Sequence, residues 1–282
     1  MREFKGKTAF VTGGASGIGL AMAKAFAERG MNVMLADVER SALDSALTDM
    51  DKFGNHVRGV ACDVADPDSV ERAAQASFEA FGKVHVLCNN AGVAAGGGID
   101  SLSVESWRWV VDVNLMGVVY GVRSFLPHMR AHGEGGHIVN TASMAGMISD
   151  MGFSPYAATK FAVVAMSEGL RPRLQPFGIG VSVLCPFFVR TNIGDAGRNR
   201  QERYGQMPTL DPNSPAAAML EELRKQIAAG LDPADVAARV LAAIENEELY
   251  IFTHPNMRRF VQPRFAAIEA AMDQVTDRLT PS

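Results

Sequence analysis

The sequence of 282 residues predicts one α/β domain, a doubly wound parallel sheet with helices on both faces. Short apolar runs alternate with longer helical segments along the chain. The runs are almost continuously apolar, which is typical of parallel strands buried on both faces. A glycine-rich turn joins the first run to the first helical segment. Repetition of strand, helix and strand gives right-handed crossovers and a single sheet.

Six apolar runs are predicted as buried strands. They are Thr8–Val11, Val33–Ala36, Val57–Ala61, Val84–Cys88, His137–Asn140 and Val181–Cys185. The helices between them carry start and stop signals. Asp66-Pro67 provides an N-cap followed by proline at the first helical position, Gly82 ends the same helix, and Asp232-Pro233 repeats the start signal.

Two segments follow the sixth strand. Residues 191 to about 230 mix Gly, Asn, Arg and Pro before a helical run, and we interpret them as a lid over the carboxyl edge of the sheet. Residues 248 to about 279 predict a short strand, Leu249–Phe252, and a last helix. We therefore expect residues 1–282 to form one domain.

Composition excludes several classes of protein. The 27 basic and 31 acidic residues give a net charge of −4, whereas nucleic-acid-binding surfaces usually show a basic excess. Three separated cysteines, Cys62, Cys88 and Cys185, form no disulfide framework, which favours a reducing, cytoplasmic location. Basic residues before an uncharged stretch ending at Ala21-Met22-Ala23 imitate a secretory signal, but four glycines interrupt it. No apolar run reaches the ~18 residues of a membrane span, so we expect no membrane partner.

The turn after the first strand has the composition of a phosphate-binding loop. Gly13, Gly17 and Gly19 follow a G-x-x-x-G-x-G spacing that includes Ser16 and Ile18. Glycine permits positive φ and lets the backbone approach a ligand closely. The helix N-terminus adds free N–H groups and a positive dipole end, which favour a pyrophosphate. The turn therefore predicts a Rossmann-like dinucleotide site.

Asp37 ends the second strand, where an acid accepts hydrogen bonds from an adenosine ribose and repels a 2′-phosphate. Neither Ser16 nor Val38 supplies a positive charge to neutralise that phosphate, so we expect NAD and not NADP. The alternative is that Asp37 only caps the next helix. Asp63-Val64 and Asn89–Gly92 also end strands, on the ligand-binding side of an open sheet, although turn chemistry alone explains the second run.

Tyr156 and Lys160 have the spacing of an acid–base pair. Ser154-Pro155 starts a helix, so Tyr156 in the first turn and Lys160 at i+4 face the same way. A nearby ammonium stabilises a phenolate, so we expect a lowered Tyr156 pKa, suited to proton exchange with an alcohol. Ser143 follows the fifth strand, where its hydroxyl can hold the substrate oxygen. The alternative is a surface pair, the usual meaning of Tyr and Lys four residues apart.

Together these motifs resemble the short-chain dehydrogenase/reductase (SDR) family over about residues 7 to 191. The match runs through Thr12-Gly13-x-x-x-Gly17-x-Gly19, Asp63, Asn89-Asn90-Ala91-Gly92, Asn114, Ser143 and Tyr156-x-x-x-Lys160. The resemblance implies that Tyr156 is the catalytic acid/base and that Ser143 polarises the substrate oxygen. It implies that Lys160 binds the nicotinamide ribose and lowers the Tyr156 pKa, and that Asn114 holds a water in a proton relay.

The turns and the resemblance together give the expected cofactor-binding residues. They are Gly13, Ser16, Gly17, Ile18, Gly19, Asp37, Asp63, Val64, Asn90, Gly92, Tyr156, Lys160, Pro186, Val189 and Thr191. The family commonly has Pro-Gly after the sixth strand, where this chain has Pro186-Phe187, and a glycine-only conformation would be costly for Phe187. Thr191 still matches the residue that binds the nicotinamide carboxamide. Pro172 lies inside the expected Tyr156 helix, which must kink or end there.

The expected substrate is an apolar or aromatic secondary alcohol, or the matching ketone, because the residues predicted to border the nicotinamide carry little charge. They are Ala95, Met144, Phe153, Phe187, Phe188 and, from the lid, Met207, although several could be plain core. Gly135–Ser143, Gly197–Tyr204 and Glu248–His254 look similar to the Cα-dehydrogenases of lignin-type β-aryl ethers, which oxidise a benzylic alcohol with NAD. The three arginines of Gly197–Tyr204 could bind a substrate carboxylate or be solvated surface.

Other functions stay open. A hydroxysteroid dehydrogenase, another carbonyl reductase of this family, or an NAD-sensing protein without turnover would carry the same motifs. An extended-type epimerase or dehydratase fits the glycine spacing less well. His128, His132 and Glu134 have ligand-like spacing, but His132-Gly133 also suits a helix end, so we expect no metal. Related enzymes pair through the helix that holds the tyrosine, so we expect a homo-oligomer, either a dimer or a tetramer.

Overall fold

A computed structural model describes residues 1–149, 154–207 and 213–275. Seven parallel strands form one sheet in the order β3-β2-β1-β4-β5-β6-β7. The strands are β1 Thr8–Thr12, β2 Asn32–Asp37, β3 Val57–Ala61, β4 Val86–Asn89, β5 Gly136–Thr141, β6 Ile179–Cys185 and β7 Tyr250–Phe252. Each predicted strand is present, with ends shifted by at most about two residues.

Helices cover both faces of the sheet. They are α1 Gly17–Glu28, α2 Arg40–Asp49, α3 Pro67–Phe81, α4 Val104–Val111, α5 Gly117–Ala131, α6 Ser154–Leu174, α7 Pro215–Ala228, α8 Pro233–Asn246 and α9 Arg258–Asp273. Val33 and Leu35 of β2 pack with α1, α2 and α8, while Met34 and Ala36 pack with α3, α4 and α5. Successive strand residues point to opposite faces, so burial on both faces requires a continuous apolar run. The prediction of one doubly wound domain is confirmed.

The helix ends follow their sequence signals. The Asp66 carboxylate caps α3 by accepting a hydrogen bond from the Asp68 N–H at 3.0 Å, and Gly82 ends that helix with φ of 77°. Asp232 caps α8 through the Ala234 N–H at 2.9 Å. Pro172 lies in the last turn of α6, and the helix ends two residues later at Leu174, as a proline inside a helix requires.

The crevice that positions the site lies between β1 and β4. From β1 the sheet extends through β2 to β3 on one side, and the chain then crosses to β4 on the other. Ligands in open α/β sheets bind beyond the carboxyl ends of the strands at such a switch point. The glycine turn follows β1 there, Asn90 follows β4 and Ser143 comes shortly after β5.

Among the described residues, one helical stretch, Val104–Ala131, is long and apolar enough to cross a membrane by length and composition. It consists of α4, a π-helical turn at Asp112–Met116, and α5. Trp109, Val110 and Phe125 within it are completely buried in the cluster that covers the sheet. The stretch is therefore a core helix.

Candidate active site

A cavity of about 270 Å³ runs along the carboxyl edge of the sheet. The glycine turn and Asp37 line one end, and Ser143, Tyr156 and Lys160 line the other. The expected cofactor-binding residues that line it are Gly13, Ser16, Gly17, Ile18, Asp37, Asp63, Val64, Asn90, Gly92, Tyr156, Lys160, Pro186, Val189 and Thr191. The fold thus brings the ends of six strands, β1 to β6, into one cleft.

The turn Gly13–Gly19 forms a concave surface, called the glycine cradle below, that side chains at its glycine positions would fill. Gly13 and Gly17 have φ of 62° and 52°, a region that other residues rarely adopt. Gly19 does not line the cavity, but a Cβ there would lie 2.0 Å from the Gly13 carbonyl oxygen, so only glycine lets α1 start against the turn. The Ser16 side chain makes no capping hydrogen bond, which leaves the first N–H groups of α1 for a ligand. This cradle fits the pyrophosphate of a dinucleotide.

Asn90 braces this cradle from β4. Its Nδ2 donates to the Thr12 carbonyl at 3.0 Å, and its Oδ1 accepts from the Thr141 hydroxyl at 3.2 Å. The backbone N–H groups of Asn90 and Ala91 both donate to Thr12 Oγ1, at 2.9 and 3.0 Å. The Asn89–Gly92 run therefore ties the ends of β1, β4 and β5 together while it lines the cleft.

Asp37 is fixed at the end of β2. Its Oδ2 accepts from the Ala15 N–H at 3.0 Å and its Oδ1 from the Glu39 N–H at 3.1 Å. Asp37 does not cap α2, whose N-cap is Glu39 without a side-chain capping hydrogen bond. The two hydrogen bonds of Asp37 are compatible with ribose binding, because each carboxylate oxygen can accept a second hydrogen bond. Arg198 of the lid reaches Glu39 at 3.1 Å, at the same end of the cavity. The sequence around the turn after β2 does not reveal the Arg198 guanidinium, because Arg198 is 159 residues away from Glu39 in the chain and reaches this turn only in the folded protein.

The three chemical side chains meet at the other end. Lys160 lies one turn after Tyr156 on α6, with its ammonium 5.5 Å from the centre of the phenol ring. Lys160 Nζ donates to the Thr141 carbonyl at 2.8 Å. Ser143 forms a hydrogen bond with the Tyr156 side chain and accepts another from the Ala145 N–H at 3.1 Å. Phenol, ammonium and hydroxyl therefore lie side by side.

The direction of the Tyr156 pKa differs from the sequence prediction. Burial raises the pKa of Tyr156 above its ordinary value, and the hydrogen bond with Ser143 opposes this only in part. Burial also lowers the pKa of Lys160 to about 8, so its ammonium is charged at neutral pH but poorly solvated. The expectation of a lowered Tyr156 pKa is wrong for this cleft because desolvation outweighs the hydrogen bond with Ser143.

Asn114 is completely buried in the π-helical turn, a feature that is frequent at functional sites. Its Oδ1 accepts from the Val93 N–H at 2.8 Å, and its Nδ2 donates to the Val93 carbonyl at 2.9 Å and to the Thr159 hydroxyl at 3.3 Å. A Cβ on Gly92 would lie 3.4 Å from Asn114 Oδ1 and 3.5 Å from Lys160 Nζ. The side chain thus holds the loop after β4 against α6, and its role in a water relay stays a prediction.

Aromatic side chains form one wall of the substrate end. Phe187 and Phe188 line the cavity with ring centroids 4.2 Å apart. Phe260 and His254 pack against Phe187, each with centroids at 5.7 Å, and Met144 also lines the cavity. The contribution of the C-terminal segment, through Phe260 and His254, was not foreseen, because nothing in its sequence indicates which strand end it approaches.

Two other residues predicted to line the substrate pocket, Ala95 and Met207, do not line the cavity. Ala95 is buried in the core cluster, whereas its neighbour Ala94 lines the cavity, because adjacent residues of extended chain point opposite ways. Met207 is 38% exposed, and its sulfur accepts a hydrogen bond from Arg200 instead of lining the cavity. Phe153 lies outside the described residues.

Phe187 takes an ordinary backbone conformation in place of the glycine of the family. Among the described residues, Glu247 is the only non-glycine with positive φ. The cost that the sequence suggested for Phe187 therefore does not arise. Thr191 packs directly against the glycine turn, since a Cβ on Gly17 would lie 2.9 Å from its methyl group.

The three arginines of the predicted lid contact the rest of the domain. Arg203 forms an ion pair with Asp63 at 2.8 Å, and Arg200 lies 5.2 Å from the ring of Trp109. With Arg198 on Glu39, all three side chains make contacts, while Arg198 and Arg203 remain exposed, as the surface interpretation expects.

His128 and His132, which have ligand-like spacing in the sequence, contact different groups in the structure. His128 stacks on Phe78 at 4.0 Å, while His132 groups with His85 and Glu134. Each ring nitrogen of His85 and His132 hydrogen bonds to the backbone or to Glu134, and these bonds account for the cluster.

Comparison with known proteins identifies the family. Residues 7–202 match the family model described as short chain dehydrogenase. The chain is 35% identical over 269 residues to the C alpha-dehydrogenase of Sphingobium sp. (strain NBRC 103272 / SYK-6), covering 95% of this chain and 87% of that protein. It is 34% identical over 273 residues to the CLA biosynthesis dehydrogenase/reductase of Lactiplantibacillus plantarum, covering 95% of each.

A solved structure agrees with this assignment. The short chain dehydrogenase/reductase from Burkholderia phymatum in complex with NAD superposes with a TM-score of 0.91 at 42% identity, covering 96% of this chain and 97% of that one. The chain therefore belongs to the short chain dehydrogenase family and is an NAD(P)-dependent oxidoreductase that acts on CH–OH groups.

Proposed function

We propose that the protein oxidises an apolar or aromatic secondary alcohol with NAD, and that benzylic alcohols are its best substrates. The observation that carries this proposal is the grouping of Tyr156, Ser143 and Lys160 at one end of a cavity whose opposite end is a glycine cradle. Acid–base groups and a dinucleotide cradle in one cleft suit a proton and a hydride leaving the same substrate carbon–oxygen group.

Each side chain has a distinct task in this proposal. Bound NAD supplies the hydride acceptor. Tyr156 accepts the proton of the substrate hydroxyl, and the Ser143 hydroxyl donates a hydrogen bond to the substrate oxygen as it gains charge. The Lys160 ammonium favours the phenolate form of Tyr156 and so works against the burial that raises the Tyr156 pKa.

The choice of NAD is supported by the two acids at the adenosine end. Asp37 and Glu39 both line the cavity there, and Arg198 is already paired with Glu39. A 2′-phosphate would meet the Asp37 carboxylate without a free cation to compensate it. Replacing Asp37 with asparagine should therefore narrow the preference for NAD over NADP in direct binding measurements, by about tenfold if one charge repulsion is removed.

The choice of an aromatic substrate is supported by the wall of Phe187 and Phe188. Aromatic rings pack favourably in offset or edge-on geometry, which rewards an aryl group on the substrate. Met144 and Ile148 add further apolar lining near Ser143. The relative named C alpha-dehydrogenase, which aligns over most of this chain, makes benzylic alcohols of aryl ethers the first compounds to test.

The test is NADH formation with benzylic β-aryl ethers, hydroxysteroids, aliphatic secondary alcohols and sugars, each with NAD and with NADP. We expect the benzylic alcohols with NAD to give the highest kcat/KM and Tyr156→Phe to give none. A preference for steroids would replace the substrate proposal with the hydroxysteroid alternative. Dinucleotide binding without turnover of any compound would favour a sensor.

We also propose a cytoplasmic homo-oligomer, either dimer or tetramer. Helix α9 exposes Phe265, Ile268 and Met272, an apolar face that a second copy would cover. Val163 and Val164 of α6 are buried in the core of their own domain, so α6 offers less apolar surface than its sequence suggests. Light scattering on a size-exclusion column should give at least twice the chain mass, and a monomer mass would refute the assembly.

A further inference from the structure

The aromatic wall of the cleft is held from outside the cavity by the segment that follows β7. Strands β6 and β7 are parallel, and their last residues are paired in register. The two segments that follow them therefore leave the sheet side by side at its carboxyl edge. One segment contains Phe187 and Phe188, which line the cavity, and the other contains Thr253 and His254, which do not. An effect of the second pair on a bound substrate must therefore pass through the first pair.

Thr253 and His254 contact both the backbone and the ring of this wall. The Phe187 N–H donates a hydrogen bond to Thr253 Oγ1 at 3.4 Å, and the same oxygen lies 2.8 Å from His254 Nδ1. The His254 imidazole also forms a hydrogen bond with the Phe188 backbone. The imidazole meets the Phe187 ring edge-on, with ring centroids 5.7 Å apart and an interplanar angle of 86°. Two consecutive residues after β7 are thus tied to two consecutive residues after β6.

The Phe187 ring has two further aromatic neighbours. The Phe188 ring lies 4.2 Å from it and the Phe260 ring 5.7 Å from it, measured between centroids. Phe187 also packs against the buried cluster that contains Met257 and Val261, at the start of α9. A ring in such close packing cannot change its side-chain torsion angles without displacing its neighbours. The surface that Phe187 presents to the cavity is therefore set by the C-terminal segment.

We propose that Thr253 and His254 are positioning residues for an aryl substrate, because they hold Phe187 at the angle at which its ring packs against the aromatic ring of that substrate. The proposal rests on the proposed function, in which the cleft oxidises an aryl alcohol, and it names the residues that set the aryl preference. Aromatic pairs are favourable in offset or edge-on geometry, so their strength depends on the angle of the Phe187 ring. A saturated ring of similar size gains only from apolar burial, which has no such angular dependence. Loss of the Thr253 or His254 contacts should therefore weaken aryl binding selectively.

The test compares the oxidation of 1-phenylethanol with that of 1-cyclohexylethanol, in which a saturated ring replaces the aromatic one. Thr253→Val removes the hydroxyl at nearly constant volume, and His254→Leu removes the imidazole edge and its hydrogen bond to Phe188. Each variant should raise the KM for 1-phenylethanol about fivefold, while kcat and the KM for 1-cyclohexylethanol stay within about twofold of native. Thr253→Ser keeps the hydroxyl and should restore the native KM. Thr48→Val, at an exposed position of α2, is the matched control.

The affinity for NADH, measured by titration calorimetry, separates positioning from general damage to the fold, and it should stay within about twofold of native in every variant. A native preference for 1-phenylethanol that survives both Thr253→Val and His254→Leu overturns this proposal and leaves the proposed function standing. An equal loss of activity on both alcohols, or a loss of NADH binding, in these two variants also overturns it, because the contacts would then be only structural. A native protein that does not prefer 1-phenylethanol overturns the proposed aryl substrate and this proposal with it.

Discussion

Replacing Lys160 with methionine should stabilise the fold while it removes activity. Burial lowers the pKa of Lys160 to about 8 from the ordinary 10.5. Between these two pKa values the folded state binds fewer protons than the unfolded state. Each pKa unit by which folding lowers the Lys160 pKa destabilises the folded protein with a charged lysine by about 1.4 kcal/mol. Near pH 7 the lysine is charged in both states, and the full cost of roughly 3 kcal/mol is present. Loss of the Lys160 hydrogen bond to the Thr141 carbonyl offsets about 1 kcal/mol of the gain.

The sign of the pH dependence follows from the lowered pKa. As the pH rises above about 8, folded Lys160 loses its charge first, and the native protein gains stability relative to the variant. The advantage of Lys160→Met should therefore shrink from about 2 kcal/mol near pH 7 to nearly zero near pH 9.5. The native protein and Lys160→Met contain the same tyrosines and cysteines, so the titration of those groups cancels when their stabilities are compared.

Denaturant unfolding of both proteins across this pH range is the assay. Lys52→Met is the control, because the Lys52 side chain is 67% exposed and should show no pH-dependent difference. A Lys160→Met variant that is less stable than the native protein by a constant amount at every pH would refute the reasoning, because the buried ammonium would then cost nothing.

Two further predictions concern the cradle and the core. Gly19→Ala should lose dinucleotide binding in calorimetry, because its Cβ would lie 2.0 Å from the Gly13 carbonyl, whereas Gly169→Ala on α6, where a Cβ meets nothing within 4 Å, should bind normally. Burial lowers the pKa of His137 to about 3, so the unfolded state binds the extra proton below about pH 6.5. Between pH 6.5 and 5 the free energy of unfolding should fall by about 2 kcal/mol more in the native protein than in His137→Asn; equal slopes in denaturant unfolding would contradict this.

Much of the fold follows from local sequence signals. The predicted apolar runs match all seven strands, and Asp66-Pro67 and Gly82 bound α3 as predicted. The prediction that Val57–Ala61 is buried is wrong, because β3 lies at the edge of the sheet and exposes Arg58 and Gly59. These signals are short-range, because capping, proline and glycine effects act within one or two turns. The grouping of Ser143 with Tyr156 and Lys160 was also predictable, because it depends only on strand ends meeting at one edge and on i, i+4 spacing.

The remaining features depend on contacts that no local pattern reveals. The pairing of Arg198 with Glu39 and of Arg203 with Asp63 requires residues 191 to 230 to cross the sheet edge. No local pattern in that sequence predicts where the segment crosses. The raised pKa of Tyr156 reflects burial by distant segments, which a helix spacing rule cannot include. Ala95 was misplaced because a single residue of register decides which side of an extended loop faces the cavity.

The role of Tyr156 as acid/base is tested most directly by single-turnover oxidation by Tyr156→Phe, measured beside its affinity for NADH. The phenylalanine keeps the ring and removes only the hydroxyl that exchanges the proton. We expect hydride transfer to NAD to fall by at least about a hundredfold, while NADH affinity stays within about twofold of native. A Tyr156→Phe variant that kept the native rate of hydride transfer would contradict the assignment of Tyr156 as acid/base.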